Sequence, residues 1–267
     1  MSIAGSDPTG GAGIQADLQV FRALGVHGAA VITALTVQDT ERVHSVLPVF
    51  PSVVLDQLRV LLSDFTPDAI KIGALGSDDV VRNVTLGLGK LPAPPAAQVP
   101  IVIDPVLAAS DGTALLERRA WDALKSLIGL ATLVTPNLDE AAALTGCDTS
   151  TEEGTQAAAC TFVSDFGAQS ALVKGGHRDG PPRDLLATRE GGTTSLSWLD
   201  AERISGGPVH GTGCALSSAI AAQLAMGVPL VDAVNEARQF VAEALRKTEA
   251  RGKRARFLSY SAKTSPS

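Results

Sequence analysis

Short apolar runs alternate with longer amphipathic segments along most of this chain, and this alternation restricts its possible folds more than any other feature. The runs are apolar at successive positions, which is typical of strands covered on both faces of a parallel sheet. Alternating strands and helices imply right-handed crossovers and helices on both sides of the sheet. We therefore predict a three-layer α/β/α sandwich. Its predicted parallel strands span residues 29–37, 69–72, 101–103, 133–135 and 171–174.

The amphipathic segments between these runs predict the helices. Ile14, Leu18 and Phe21 fall on one face of the first helix, because residues three and four apart are neighbours on a helix surface. Two further helices follow the last predicted strand and complete the domain. The helices predicted after the first span residues 51–62, 78–88, 117–128, 138–144, 152–166, 214–226 and 230–247.

Residues 184–199 interrupt the alternation. They predict two strands around Glu190-Gly191-Gly192, and therefore an antiparallel hairpin at one edge of an otherwise parallel sheet. No internal repeat divides the chain, so residues 1–250 are predicted to form a single domain. Residues 251–267 are basic and then rich in Ser, Thr and Lys, which predicts a flexible tail.

The charge balance excludes some classes of partner. The chain has 22 Lys and Arg against 28 Asp and Glu, a net charge of −6. Nucleic acids and anionic membranes both require a basic face, so neither is expected as the main partner. An acidic protein still binds a phosphate group locally, through backbone N–H groups at the start of a helix.

The cysteines and the N-terminal sequence point to a soluble cytoplasmic protein. The three cysteines are odd in number, widely spaced and free of any CxxC or metal-ligand pattern, which favours a reducing compartment. The first residues lack the basic start and apolar run of a signal peptide. No segment approaches the ~20 apolar residues that span a bilayer.

The first candidate site is the glycine-rich stretch of residues 4–13, between a short strand and the first helix. Glycines allow a ligand to approach the backbone closely, but a simple turn with a helix cap would have the same composition. Asp17, one turn into the helix, has two possible roles. It either accepts hydrogen bonds from a ligand amine or is an ordinary solvated helix residue.

The second candidate site combines Asp104, after one predicted strand, with Asn137 and Glu140, after the next. Carboxylates at strand ends can hold Mg²⁺, directly or through water. Asn137 and Glu140 are three residues apart at a helix start, so they also match a capping box. On this evidence alone the capping box is the favoured interpretation.

The third candidate site is residues 210–217, which open an Ala-rich helix with His-Gly-Thr-Gly-Cys. Gly211 and Gly213 flank Thr212 and expose successive N–H groups at the positive end of the helix dipole. This arrangement suits the negative charge of a transferring phosphoryl group. Cys214 lies in the first helical turn, where the dipole favours a thiolate, so we expect a lowered pKa and a general-base role. The alternative is a small buried cysteine with a packing role.

Together these motifs resemble the hydroxymethylpyrimidine/phosphomethylpyrimidine kinases of thiamine biosynthesis, which belong to the ribokinase-like superfamily. Each motif by itself is modest evidence, but seven of them occur in the family's order. The resemblance covers the chain to about residue 245. The matching motifs are residues 4–18, 31–38, 71–73, 104–106, 135–137, 173–177 and 210–214.

The resemblance implies a ribokinase-like fold and phosphoryl transfer that depends on ATP and Mg²⁺. The expected substrates are 4-amino-5-hydroxymethyl-2-methylpyrimidine and then its monophosphate, and the resemblance also implies a homodimer. By family role, Cys214 and the loop of Gly211, Thr212 and Gly213 are catalytic. Lys174, Thr212 and Asn137 contact ATP, while Asp104 and Glu140 lie near the metal. The residues implied to line the pyrimidine pocket are Gly5, Ala12, Asp17, Gln38 and Val106.

The sequence departs from the family pattern after residue 106, where the family's lysine is replaced by Ser110 and an acid follows at Asp111. If that lysine helps to hold a phosphate, the second phosphorylation is affected. Two alternatives therefore stay open. One is a pyridoxal/pyridoxine kinase, since related enzymes share the Gly-Thr-Gly-Cys motif. The other is a weakly active paralogue that binds a pyrimidine phosphate.

Overall fold

A single nine-stranded sheet forms the centre of the molecule. The computed structural model describes residues 1–89, 91, 99–176, 182–204, 209–253 and 255–260. The strand order is β3-β2-β1-β4-β5-β6-β7-β8-β9, and the six strands from β2 to β7 in this order are parallel. The strands are β1 (Ser2–Ser6), β2 (Ala30–Gln38), β3 (Val43–Pro48), β4 (Ile70–Ile72), β5 (Ile101–Ile103), β6 (Leu133–Val134), β7 (Ser170–Val173), β8 (Arg183–Glu190) and β9 (Thr193–Asp200).

Helices cover both faces of this sheet. Successive side chains of β5 point to opposite faces, so Ile103 packs into one apolar cluster and Val102 into the other. The first cluster lies under α2, α3, α4 and α6, and the second lies under α1, α7 and α8. The helices are α1 (Gly13–Ala23), α2 (Pro51–Asp64), α3 (Asp78–Leu88), α4 (Trp121–Ile128), α5 (Leu138–Thr145), α6 (Glu152–Ser164), α7 (Thr212–Ala225) and α8 (Leu230–Arg246).

This architecture confirms the predicted α/β/α sandwich. The antiparallel hairpin is present as β8 and β9, joined at Gly191 and Gly192. The edge strand β3 was not predicted, because only Val43 of its six residues is buried and the segment lacks a continuous apolar run. Among the described residues, no helix is long and apolar enough to cross a membrane.

The chain end, predicted as a flexible tail from residue 251, contains two short strands. Residues Glu249–Arg251 (β10) and Ala255–Phe257 (β11) form a short antiparallel hairpin. Phe257 is buried, and Tyr260 stacks on Phe240 of α8 with ring centroids 5.6 Å apart. Residues 249–260 thus contribute two short strands and an aromatic contact, and the flexibility of the tail stays a prediction. Residues 261–267 lie outside the described residues.

Candidate active site

The three candidate sites meet at one edge of the sheet. β1, β5, β6 and β7 are parallel, so their carboxyl ends lie at the same edge. Asp104 follows β5, and Lys174 follows β7. The start of α7 faces the same edge, because a Cβ placed on Gly213 would lie 3.1 Å from Lys174 Nζ and 3.6 Å from Asp104 Oδ2. The helix start therefore lies directly against the Lys174–Asp104 pair.

Two glycine loops are in direct contact at this edge. We call residues 7–13 the first glycine loop and residues 210–213 the second. Gly211, which caps α7, has a left-handed φ of 78°. A Cβ at Gly211 would lie 1.8 Å from the carbonyl oxygen of Gly11. Only glycine fits there, for both steric and conformational reasons.

Asp7 organises the first glycine loop. Its Oδ1 accepts a hydrogen bond from the Thr9 N–H at 2.8 Å, and its Oδ2 accepts one from the Ala12 N–H at 2.9 Å. His210 of the second loop also contacts Oδ2 through Nε2, at 2.9 Å. Burial alone would raise the pKa of Asp7, but the hydrogen bonds from His210 and Thr9 hold it below its ordinary value. The ionised carboxylate thus fastens the two loops together.

Gln38 joins this network from the end of β2. Its side-chain amide lies 3.2 Å from His210 Nε2, the atom that also contacts Asp7. The Gln38 atom that faces His210 is the amide nitrogen Nε2. The amide oxygen lies 3.2 Å from the Thr36 hydroxyl, which also lies 3.0 Å from the Ser6 carbonyl oxygen. His210 and Thr36 therefore contact the two ends of the Gln38 amide.

A cavity of about 150 Å³ opens beside Gln38 and His210. Its lining also includes Arg42, Ser110 and Asp111, so the position where the family has a lysine faces this space. Asp111 Oδ2 accepts a hydrogen bond from the Val43 N–H at 2.7 Å. The acid that departs from the family pattern thus ties the loop after β5 to the start of β3.

Buried Asp104 and partly buried Lys174 form an ion pair at 2.9 Å. Ser217 of α7 lies 3.5 Å from the other carboxylate oxygen, so the helix contacts the pair directly. Burial would lower the pKa of Lys174, but the carboxylates of Asp104 and Glu140 hold it above its ordinary value. Lys174 therefore stays protonated and offers a cation beside the helix start.

Asn137 and Glu140 form the capping box that the sequence favoured. The Asn137 side chain accepts from the Glu140 N–H at 2.7 Å, and Glu140 Oε2 accepts from the Asn137 N–H at 2.8 Å. Burial raises the pKa of Glu140 to about 7, and the Asp104 carboxylate adds to this, while Lys174 opposes it. A second cation near this carboxylate would relieve an unfavourable buried charge.

This raised pKa gives a physical reason to test the pair as a magnesium site. Among the described residues, no group of three or more His, Cys, Asp and Glu side chains is placed to hold a metal ion. Mg²⁺ often binds through only one or two carboxylates together with water and substrate phosphates. Asp104 and Glu140 fit that mode, and they do not form a dedicated metal cage.

Cys214 faces the edge from the first turn of α7, but its expected ionisation is wrong. Burial raises the pKa of the thiol to about 11, although the Lys71 ammonium acts in the opposite direction. The helix dipole favours a thiolate, yet loss of solvation outweighs it here. The thiol is therefore largely protonated at neutral pH in the free protein.

Sequence comparison identifies the family. A profile described as phosphomethylpyrimidine kinase matches residues 7–258. A hydroxymethylpyrimidine/phosphomethylpyrimidine kinase of Rhizobium meliloti is 44% identical over 247 residues, covering 92% of this chain and 89% of the relative. The chain belongs to the phosphomethylpyrimidine kinase family.

Solved structures agree with this membership of the phosphomethylpyrimidine kinase family. The phosphomethylpyrimidine kinase of Clostridium difficile 630 superposes with a TM-score of 0.77 at 33% identity, covering 91% of this chain and 97% of its own. An ADP complex of Bacillus subtilis pyridoxal kinase superposes with a TM-score of 0.84 at 30% identity, covering 98% of this chain and 96% of the pyridoxal kinase chain. The fold is therefore shared with kinases named for two different heteroaromatic substrates.

Asp17, which the resemblance places in the pyrimidine pocket of this family, is buried away from it. Asp17 is fully buried, and each of its carboxylate oxygens accepts two hydrogen bonds. Its partners are Ser2, Lys71 and Ser218, so no oxygen is left for a substrate. Direct pyrimidine contact by Asp17 does not fit this structure. The residue belongs to the layer behind the site.

The other predicted pocket residues of the family surround the first glycine loop and the Asp104 strand end. Gly5 lies in β1, and half-buried Ala12 is the N-cap of α1. Val106 is half-buried, and its N–H donates to the Asp104 carbonyl at 2.8 Å. Their contact with a pyrimidine stays a prediction.

Sequence reasoning gave no role to Lys71, Asp7 and His210, although all three lie within the recognised motifs. Asp7 and His210 are 203 residues apart, and a pairing over that distance has no local signal. Lys71 had one signal that could have found it. It is a charged residue in the middle of an apolar strand, between Ile70 and Ile72, and buried lysines are nearly always paired.

Proposed function

We propose that this protein transfers the γ-phosphoryl group of ATP to the hydroxymethyl oxygen of 4-amino-5-hydroxymethyl-2-methylpyrimidine, and then phosphorylates the monophosphate. One observation carries the proposal. The start of α7 lies against the Lys174–Asp104 ion pair, and Gly211 directly contacts Gly11 of the first glycine loop. His210, just before this helix start, contacts both Asp7 and Gln38. An anion site and a polar site for a flat ring thus adjoin each other.

The residues divide the reaction between them. The N–H groups at the start of α7 and the Lys174 ammonium bind the transferring phosphoryl group and balance its charge. The Gln38 amide, which lies between His210 and Thr36, hydrogen-bonds to the aminopyrimidine edge. Cys214, in its thiolate form, accepts the proton of the attacking hydroxyl group. Catalysis then depends mainly on positioning and charge neutralisation.

Mg²⁺ belongs to this proposal as part of the nucleotide complex. When bound, it would neutralise phosphate charge, and Asp104 and Glu140 are the residues that would hold it, directly or through water. Asn137, which caps α5 beside Glu140, would lie near the phosphates.

The proposal is tested by ADP release from Mg-ATP with four acceptors: the hydroxymethylpyrimidine, its monophosphate, pyridoxal and ribose. Turnover of both pyrimidines at ~1–100 per second supports the proposal in full. Turnover of the hydroxymethylpyrimidine alone would indicate that Ser110, in the cavity beside Gln38, impairs the second phosphorylation. Saturable pyrimidine binding without ADP release would contradict a kinase role and favour a pyrimidine-binding protein.

Pyridoxal kinase is the second candidate function, and the structural likeness to the Bacillus subtilis pyridoxal kinase favours it. Pyridoxal also presents a flat heteroaromatic ring and a hydroxymethyl group. The pyrimidine stays the first candidate because the family profile and the Rhizobium meliloti relative both carry its name. Turnover of pyridoxal without turnover of the pyrimidine would reverse this order.

Replacing Gln38 with alanine is expected to raise the KM for the pyrimidine about tenfold or more and to leave the KM for ATP unchanged. The amide is the polar group offered to the ring, and an unpaired polar group in a binding site costs about 1–3 kcal/mol. Steady-state kinetics with each substrate varied in turn measure both constants. Gln19→Ala is the matched control, because Gln19 is exposed and donates a hydrogen bond to the Gly10 carbonyl of the first glycine loop. Equal rises in the KM for the pyrimidine and for ATP would contradict the assignment of Gln38 to the pyrimidine site.

We also propose that a second copy of the chain covers an exposed apolar face of the β2–β3 edge. Leu35 and Leu47 are paired directly across these antiparallel strands, so they share a face with Val37. These three side chains are 48%, 55% and 51% exposed, and Phe50 beyond β3 is 79% exposed. Exposed apolar groups clustered in this way mark interaction surfaces.

The dimer is expected to dissociate when Leu47 is replaced by aspartate. Light scattering coupled to size exclusion at micromolar concentration should give twice the chain mass for the unmodified protein and the single mass for Leu47→Asp. Leu86→Asp is the control, since Leu86 on α3 is equally exposed, at 56%, but lies elsewhere. A monomeric unmodified protein would overturn the proposal.

A further inference from the structure

A second buried ion pair lies behind the site. Lys71 of β4 and Asp17 of α1 are both fully buried, and Lys71 Nζ is 2.9 Å from each carboxylate oxygen. Well-packed apolar residues usually match or exceed the stability that such a pair provides. Its cost in desolvation therefore favours a role in function over a role in stability.

The pair is bonded to the helix that carries Cys214. Ser218 Oγ donates to Asp17 Oδ1 at 2.7 Å, and Ser2 Oγ donates to Oδ2 at 2.6 Å. Ser218 is four residues after Cys214 in α7, so both side chains lie on the same helix face. The ion pair is thus fastened to the face that presents the thiol.

The Lys71 ammonium points towards the carboxyl edge of the sheet. A Cβ placed on Gly73, just beyond the end of β4, would lie 2.8 Å from Lys71 Nζ. The side chain therefore runs along its strand to the edge where the two glycine loops meet. A larger residue at position 73 would collide with the ammonium.

Several charged or titratable groups lie close enough to influence Cys214. They come from α1, β4, the residues after β5 and β7, and the chain end. Burial would lower the pKa of Lys71, but Asp17 first and Cys214 and Asp104 after it hold it above its ordinary value. Lys71 therefore remains a cation. The groups within electrostatic range of Cys214 are Asp17, Lys71, Asp104, Lys174 and Tyr260.

We propose that Lys71 is a positioning residue for the reaction: its ammonium, held by Asp17 and bonded through Ser218 to α7, stabilises the thiolate of Cys214. This rests on the proposed phosphoryl transfer. The thiol first loses its proton to water. The thiolate then accepts the hydroxymethyl proton while the hydroxyl oxygen bonds to the γ-phosphorus and the bond from that phosphorus to ADP breaks. Lys174 remains available for the phosphates.

The test is the pH dependence of alkylation of Cys214 by iodoacetamide in the free protein. Cys147 and Cys160 are first replaced by serine, so that a single thiol reacts. Lys71→Met is expected to slow alkylation at pH 8 at least tenfold, because it removes the cation that favours the thiolate. Asp17→Asn is expected to accelerate alkylation, because it removes an anion and leaves Lys71 in place. General loosening of the site would accelerate both variants, so opposite shifts support the proposal and shifts of the same sign overturn it.

A charge-balanced variant keeps the test valid if Lys71→Met does not fold. The double variant Asp17→Asn/Lys71→Met leaves no buried charge, and its comparison with Asp17→Asn isolates the effect of Lys71. We expect the alkylation midpoint of the double variant to lie at least one pH unit above that of Asp17→Asn. Equal midpoints would overturn the proposal. Because alkylation needs neither ATP nor pyrimidine, absence of kinase turnover would contradict the proposed function separately.

Discussion

Cys214→Ala is expected to reduce turnover of the hydroxymethylpyrimidine by a factor of about 10²–10⁴, the usual contribution of a general base. The fold should be retained, since the change removes only a sulfur atom from the first turn of α7. Cys160→Ala provides the control, because it makes the same change in α6, away from both glycine loops. Near-normal turnover of Cys214→Ala would exclude the thiol as the base.

The pH profile gives the same prediction an independent readout. A base acts in its deprotonated form, and burial raises the pKa of Cys214 to about 11. The thiolate fraction of the free protein therefore rises about tenfold per pH unit below that value, and kcat/KM should rise in parallel between about pH 6 and pH 9. In Cys214→Ala this slope should disappear. A flat profile for the unmodified protein would place the base elsewhere.

Gly211→Ala is expected to reduce turnover at least about a hundredfold, the loss typical for removal of oxyanion-type donors. Alanine at this position would need a left-handed φ, and its Cβ would lie 1.8 Å from the Gly11 carbonyl oxygen. The two glycine loops would have to separate, which displaces the N–H groups at the start of α7. Steady-state kinetics and thermal unfolding together measure the effect.

Gly227→Ala is the matched control for Gly211→Ala. Gly227 follows the other end of α7 with a φ of 81°, and a Cβ there would meet nothing within 4 Å. It should lose about 1–2 kcal/mol of unfolding free energy, the cost of the left-handed conformation alone, and keep its turnover. Equal turnover losses in both variants would show that strain, not loop contact, explains the effect.

The sequence predicted those parts of the fold that local pattern determines. The buried parallel strands and the amphipathic helices appear where expected, and the capping box at Asn137 and Glu140 follows from residues three apart. β3 and the hairpin β10–β11 were missed. β3 exposes most of its side chains, and buried Phe257 packs against Gly11 and His210, which lie far from it in the sequence. Burial that arises from distant parts of the chain leaves no periodic signal.

In the candidate site too, local sequence predicted some features, and contacts between distant residues determined the others. The position of Cys214 at a helix start could be predicted, but the sign of its pKa shift depends on how much solvent the folded chain removes. Asp17 was interpreted as a ligand contact or a solvated residue. It is neither, because Lys71, which is 54 residues away, neutralises it within the fold. Residue types identified the chemistry, and only tertiary contacts distinguished direct contacts from supporting residues.

The contact between the two glycine loops also determines when the site can form during synthesis. His210 leaves the ribosome 203 residues after Asp7, and Cys214 and Phe257 follow it. The partners of Asp7 and Gly11 are thus missing while most of the sheet is already available to fold. A nascent chain that contains the first glycine loop but not yet His210 therefore lacks the contact that joins the two loops.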